Sequence, residues 1–196
     1  MGVWKTDTPA CQTYVAEIYT DRFPDDFFGW IVLGDALTKI SSFERAKVAL
    51  LNARRLCPVD QKSWLYTRWG NLYREKGNLL QAERWYRKAV STSESQENLV
   101  FLGACLAKQG KYSEARLYHE RAAAIDPEKA DEAFLNLGLI LRAEADYVEA
   151  LRYFEKAIQI DPEYDDAKIA RNDIIELLNI RASLANGRGQ IKPQAL

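Results

Sequence analysis

The chain has 196 residues, 47% of them hydrophobic and 28% charged, with a formal net charge of −1. That apolar content excludes a disordered tail, and the near-neutral balance excludes a sequence-independent grip on nucleic acid, which needs an excess of Lys and Arg on one surface. No run of 18 apolar residues exists, which excludes a membrane-spanning helix, and the opening "MGVWKTDTPACQ" lacks the charged-then-apolar build of a secretory signal, so the expected location is cytoplasmic.

The first predicted element covers residues 8–22, "TPACQTYVAEIYTDR", a helix expected to lean on the first repeated unit as half of a degenerate repeat. Ahead of it, Met1-Gly2 with Thr6 fits the loose N-myristoylation pattern, which chance also produces often. From residue 27 the chain repeats itself. Gly34, Gly70, Gly103 and Gly138 are each preceded by Leu or Trp and followed three residues later by Leu or Tyr, at spacings of 36, 33 and 35. Twelve residues after each glycine stands an alanine (Ala46, Ala82, Ala115, Ala150), and seven further on another (Ala53, Ala89, Ala122, Ala157). Pro58, Pro127 and Pro162 close three copies, and Glu94 stands in the second. A period near 34 with helical patterning in every copy signals a stacked array.

Each copy divides into two helices. Apolar residues from Trp64 to Lys76 fall at three and four spacing, Gly77-Asn78 breaks the run, and Leu79 to Val90 resumes it. Asn78 with Gln81 and Asp146 with Glu149 are placed as capping boxes for the second helix. The glycines and alanines let the two helices approach closely, while Tyr73 and Tyr86 fill the space beside them. After the last copy, Ile169, Ile174, Leu177, Leu178 and Ile180 predict a helix over 165–184 that covers the array's apolar end. Residues 185–196 read as a flexible tail.

Chemistry-bearing motifs are sparse. There is no GxxxxGK[ST], HExxH or GxSxG, and one histidine, His119, on a packing face. No catalytic residue, metal site or cofactor is expected, and the chain reads as a non-enzyme. Cys11, Cys57 and Cys105 are too few and too scattered for a disulfide framework or a zinc site, and read as reduced, mostly buried thiols.

The pattern Trp30-Leu33-Gly34-Leu37-Ala46-Leu50-Ala53-Pro58, with its near-copy Phe134-Leu137-Gly138-Leu141-Ala150-Phe154-Ala157-Pro162, resembles the tetratricopeptide repeat. Ala145 departs from it at the turn glycine of the last copy, and His119 at the aromatic position of the third. The resemblance implies an all-α fold, a right-handed α-solenoid of antiparallel helical hairpins. It implies a single domain over 1–196, with repeats at 27–58, 63–94, 96–127 and 131–162.

In tetratricopeptide proteins the side of each first helix opposite its signature residues lines the concave groove. On a 100° wheel that side carries Phe28, Ile31, Val32 and Asp35 in the first repeat and Trp64, Arg68, Asn71 and Arg74 in the second. It carries Val100, Phe101 and Ala104 in the third, and Leu135, Leu139 and Arg142 in the fourth. An apolar strip with a few charges there predicts a peptide-binding surface. Phe28 and Trp64 are expected to sandwich a ligand side chain, and Arg68, Arg74 and Arg142 to hold its acidic residues. The resemblance thus implies a scaffold or chaperone-like adaptor for another protein or peptide. The alternative is self-association, a homodimer included, with the groove filled by the chain's own or a neighbour's terminal helix. Relatives that hold acidic chaperone tails use a clamp of Lys and Asn, then Asn, then Lys and Arg. The matching positions here are Ile31 and Asp35, Arg68, and Glu97 and Phe101, or, started one unit later, Thr67 and Asn71, Phe101, and Glu132 and Asn136, and neither frame forms the clamp.

Overall fold

A computed structural model describes residues 8–188 and contains ten α-helices and no strand among them. The Met1-Gly2 pattern and the tail from residue 189 lie outside the described residues. The chain forms two compact units, which meet in sequence after Tyr118.

The first unit opens with α1 (Pro9–Arg22), capped by the Thr8 hydroxyl. Then come α2 (Phe27–Lys39) and α3 (Phe43–Leu56), α4 (Lys62–Glu75) and α5 (Leu79–Thr92), and α6 (Gln96–Lys108). The next helix, α7 (Tyr112–Ile125), carries the division between units. The second unit continues with α8 (Asp131–Ala143), α9 (Tyr147–Ile160) and α10 (Asp165–Arg188). α10 continues four residues past the expected end at 184, into the stretch read as tail.

Four turns join a first helix to a second by one hydrogen-bond scheme. The N–H groups of Ser42, Asn78, Lys111 and Asp146 donate to the carbonyls of Leu37, Tyr73, Leu106 and Leu141, at 2.8–3.0 Å. The residue before each donor sits in the left-handed region: Ser41 (φ 59°), Gly77 (80°), Gly110 (76°) and Ala145 (65°). This is the closing motif that ends helices by satisfying their last carbonyls. Glycine enters that conformation freely, whereas Ser41 and Ala145 each carry a strain of about 1 kcal/mol. The capping boxes are therefore half formed. Asn78 Oδ1 accepts from Gln81 N at 3.1 Å and Asp146 Oδ1 from Glu149 N at 3.3 Å. Their own N–H groups are already committed to the helix before.

Close approach within each pair rests on absent side chains. A Cβ on Gly70 would lie 2.4 Å from the Tyr86 ring, and one on Gly138 would lie 2.4 Å from Phe154. Ala82, Tyr86 and Ala89 are fully buried on α5, and Ala150, Phe154 and Ala157 on α9. The first unit's core runs from Phe27 and Leu37 through Leu50 to Trp69, where Trp69 stacks on Trp85 at 5.3 Å. The second unit's core joins Phe154 to Ala167, Ala170 and Ile174 of α10. The covering face of α10 is thus made by Ala167, Ala170 and Ile174 with Leu178 packed beside them, as expected of Ile174 and Leu178, while Ile169 and Ile180, expected to help, are exposed.

A buried polar cluster braces the junction of the second copy, the one without a closing proline. Asn98 on α6 donates to Ser63 Oγ (2.7 Å) and the Ser93 carbonyl (2.8 Å), and its Oδ1 accepts from Thr67 (2.8 Å). Ser63 in turn donates to the Ala89 carbonyl (3.0 Å), so the cluster ties α4, α5 and α6 together. On the surface of the same unit, Glu83 gathers Arg87 (2.9 Å), Lys111 (2.8 Å) and Gln109 (2.9 Å). Although burial opposes it, these partners hold the Glu83 carboxyl down at about 2.

His119 takes the place that Leu50, Tyr86 and Phe154 take in the other copies, and it is fully buried. Neither ring nitrogen has a hydrogen-bond partner among the described residues, and burial pushes its pKa down to about 4. Between that value and the ordinary 6.5 the unfolded chain takes up a proton that the folded chain refuses. This site's contribution is therefore complete above pH 6.5 and falls as pH drops to about 4, by on the order of 3 kcal/mol. His119→Phe should abolish that part of the acid sensitivity and stabilise the protein at neutral pH. Thermal melts of both proteins between pH 7 and pH 4 check this, and parallel pH profiles would contradict it.

Candidate functional site

The first helix of each pair carries a column of residues that the sequence wheel assigned to one open side. The structure divides that column. Ile31, Thr67, Val100 and Leu135, each three residues before the glycine, are buried. For Ile31, Val100 and Leu135 this corrects the expectation that they line a groove: a first helix in an array packs on more than its own partner, and this position is sealed by that additional packing. The positions two before and one after the glycine are open. They hold Val32 and Asp35, Arg68 and Asn71, Phe101 and Ala104, and Asn136 and Leu139, all half-buried except Val32, which is exposed.

In the first unit these positions build a wall of rings and cations on α2, α4 and α6. Phe28, 50% exposed, lies with its ring 5.6 Å from that of Trp64, tilted by 46°. The two rings touch each other, so no ligand side chain fits between them and the expected sandwich does not form. The guanidinium of Arg68 lies over the Trp64 ring at 4.9 Å, an attraction of ring face for cation. Arg68 Nε also approaches Asp35 Oδ2 at 3.5 Å, without a hydrogen bond although it is buried. Desolvation raises the Asp35 pKa, with Arg68 and Lys39 working against it.

One turn along, the Tyr86 hydroxyl donates to Asn71 Oδ1 at 2.7 Å. The Tyr86 ring stacks on Phe101 at 5.8 Å and 12°. Arg74 reaches over Phe101 at 5.8 Å and pairs with Glu75 at 3.0 Å. In the second unit, Leu139 packs against the core and Arg142 reaches Asp173 of α10 at 3.6 Å. Arg68, Arg74 and Arg142 therefore each lie within 3.6 Å of a carboxylate of this chain, partners that the expectation of free arginines did not include.

Sequence reasoning missed these internal partners because they lie on another copy of the repeat, on α10, or on a neighbouring residue of the same helix. The signal was present in one case: Asp35 and Arg68 occupy open positions of adjacent first helices. The thiols also differ from expectation. Cys105 is buried, but Cys57 is half-buried and Cys11 is exposed on α1. Among the described residues no His, Cys, Asp and Glu group could hold a metal ion, and no helix is long and apolar enough to cross a membrane.

Models of the tetratricopeptide repeat match residues 65–96 and 97–163. A stretch of 62 residues is 37% identical to human protein O-mannosyl-transferase TMTC1, covering 32% of this chain and only 7% of the human protein. Among solved structures, YrrB, described as a TPR protein with an unusual peptide-binding site, aligns with a TM-score of 0.62 at 21% identity over 82% of this chain and 81% of its own. Pseudomonas aeruginosa pilF aligns with 0.69 at 23% identity, over 78% and 69%. The first TPR of Spaghetti (RPAP3), bound to the HSP90 peptide SRMEEVD, gives 0.57 at 19% identity, over 61% and 95%. At these identities the likeness is one of fold.

Arg68 is the nearest positive charge acting on Asp35. Arg68→Met should therefore raise the Asp35 pKa further, read from its carboxyl carbon shift across a pH titration. A lowered or unchanged pKa would contradict the pairing.

Proposed function

Because the chain belongs to the tetratricopeptide repeat family, a class of protein–protein interaction module, we propose that its first unit binds an extended or helical peptide with apolar anchors. The wall on α2, α4 and α6 supports this reading, and one observation carries it: two cation-on-ring pairs, Arg68 over Trp64 and Arg74 over Phe101, left half-open on either side of Asn71. A solvated helix face has no use for half-exposed aromatics, and aromatic and Arg side chains dominate binding energy where proteins meet.

The ligand lies against these rings. Apolar side chains cover the Phe28–Trp64 pair and the exposed edge of Phe101. Asn71, whose Oδ1 is taken by Tyr86, offers its Nδ2 hydrogens to a peptide carbonyl. The Asp35–Arg68 pair is locally neutral, so the wall does not select a strongly acidic ligand. The positions of the acidic-tail clamp argue the same way, since Asp35 and Glu97 would repel a terminal carboxylate. In this reading the protein is an adaptor without chemistry of its own, and 1–196 is one repeat domain.

The test is a peptide library selected on the immobilised protein, followed by calorimetry on the enriched sequences. Enriched peptides should carry two or more large apolar residues. Phe101→Ala or Arg68→Glu should weaken them at least tenfold, a loss of about 1.4 kcal/mol or more. SRMEEVD should not bind tightly. Micromolar affinity for SRMEEVD, or enriched peptides indifferent to both substitutions, would overturn the proposal.

A further inference from the structure

The first unit carries a second surface, on the second helices α3 and α5, away from the wall and independent of the peptide reading. Its chemistry is clearest beside the neighbouring pair, α5 and α7, where the chain neutralises itself. There Glu83 is held by Arg87, Gln109 and Lys111, and Arg87 continues to Glu114 at 2.6 Å and to the Tyr118 hydroxyl at 3.1 Å.

One copy earlier the same positions hold different residues. The offset is 36 residues from Gly34 to Gly70 and 33 from Gly70 to Gly103. Lys47 therefore stands where Glu83 does, Leu51 where Arg87 does, and Gln81 where Glu114 does. The donors Gln109 and Lys111 correspond to Lys76 and Asn78. The carboxylate at the centre has become a cation, and its acidic neighbour an amide. Lys76 pairs instead with Glu44 at 2.8 Å. Around Leu51 and Gln81 the cations gather: Lys47 and Arg54 lie on the same side of α3 as Leu51, and Arg84 and Lys88 follow Gln81 at helical spacing on α5. All four are exposed, and none forms an ion pair among the described residues. Lys88 rests over the half-buried Trp85 ring at 4.4 Å, and Leu51, 41% exposed, leaves an apolar spot among the charges. A merely solvated face mixes both signs, whereas this strip collects four positive charges in a chain of net charge −1.

Both borders of the strip are acidic. On the α1 side Glu17 pairs with Arg45, and Asp21 lines the same cleft. On the α7 side stand Glu83 and Glu114. The strip is thus narrow as well as basic. We propose that it binds an acidic segment of a partner protein, whose Asp and Glu side chains take the places that Glu83 and Glu114 fill one copy later. The next pair of helices shows that these positions suit carboxylates held by Lys and Arg. A membrane surface or a nucleic-acid duplex is broader than the strip and would meet the carboxylates on both borders, so charge complementarity favours a single acidic chain.

Fluorescence anisotropy with a labelled oligoglutamate peptide tests this. The peptide should bind the wild type and weaken as salt rises, and an oligoglutamine peptide should not bind. Lys47→Glu with Lys88→Glu should weaken the oligoglutamate at least about tenfold, while Phe101→Ala, in the wall, should change its binding less than about twofold. A second variant separates lost recognition from lost fold. Lys47→Glu, Leu51→Arg and Gln81→Glu together rebuild the α5–α7 network between α3 and α5. That protein should melt at a higher temperature than the wild type and still lose at least about tenfold in affinity. An oligoglutamate that does not bind, binding indifferent to either variant, or tighter binding of single-stranded DNA or phosphatidylserine vesicles than of oligoglutamate would each overturn the proposal.

Discussion

The structure depends on one steric constraint: a residue without a side chain on the first helix faces a ring or a leucine on the second. With glycine at 70, Tyr86 packs its ring directly against the α4 backbone, and Phe154 does the same at Gly138. At Gly34 the partner is Leu50, whose Cδ2 would lie 2.8 Å from an added Cβ. Interiors are packed too tightly to absorb such an overlap without moving something. This contact sets the distance between the helices of a pair. The pair's spacing in turn decides which positions of the first helix are sealed and which stay open. The wall on α2, α4 and α6 exists because Tyr86, held at that distance, reaches Asn71 on α4 and stacks on Phe101 of α6.

Much of this was legible in the sequence, because the constraint is local and repeated. Glycine, the two alanines and the large residue between them recur at fixed spacing, and a helix-pair array follows from them. The turn at Gly77-Asn78 was legible too, and Ala145, marked as a departure, takes the same left-handed conformation, as does Ser41, which nothing had marked. What could not be read is what depends on contacts between copies. Ile31, Val100 and Leu135 looked like groove residues on a wheel with two sides, but a first helix in a stack has more than two. The Asn98 cluster was invisible for a related reason. Its partners Ser63 and Thr67 lie 35 and 31 residues away, and nothing in the period marks a polar position as buried. It stands at the junction where Glu94 replaces the closing proline, so a hydrogen-bonded brace takes over from a stiff backbone.

The charges follow the same division between what one copy holds and what two copies make. Asp35 with Arg68 and Glu83 with Lys111 each join neighbouring copies, whereas Arg74 with Glu75 stays within one helix. Their effect differs with exposure. The surface pair Lys76–Glu44 contributes little against water and salt, while Glu83, more enclosed and contacted by three donors, braces α5 against the segment after α6. The arginines of the wall are thereby held beside this chain's own carboxylates, which in the proposed reading lowers the ordering cost of binding.

The central claim is that the spacing within each pair is set by the glycine-to-ring contact, and a double-mutant cycle on Gly70→Ala and Tyr86→Leu measures it most directly. Urea unfolding should give a cost of about 1–3 kcal/mol for Gly70→Ala in the wild-type background. In the Tyr86→Leu background, where a smaller and more adaptable side chain faces the new methyl, that cost should shrink by at least half. If the two costs instead add within about 0.5 kcal/mol, the residues do not act on each other and the account of the fold is wrong.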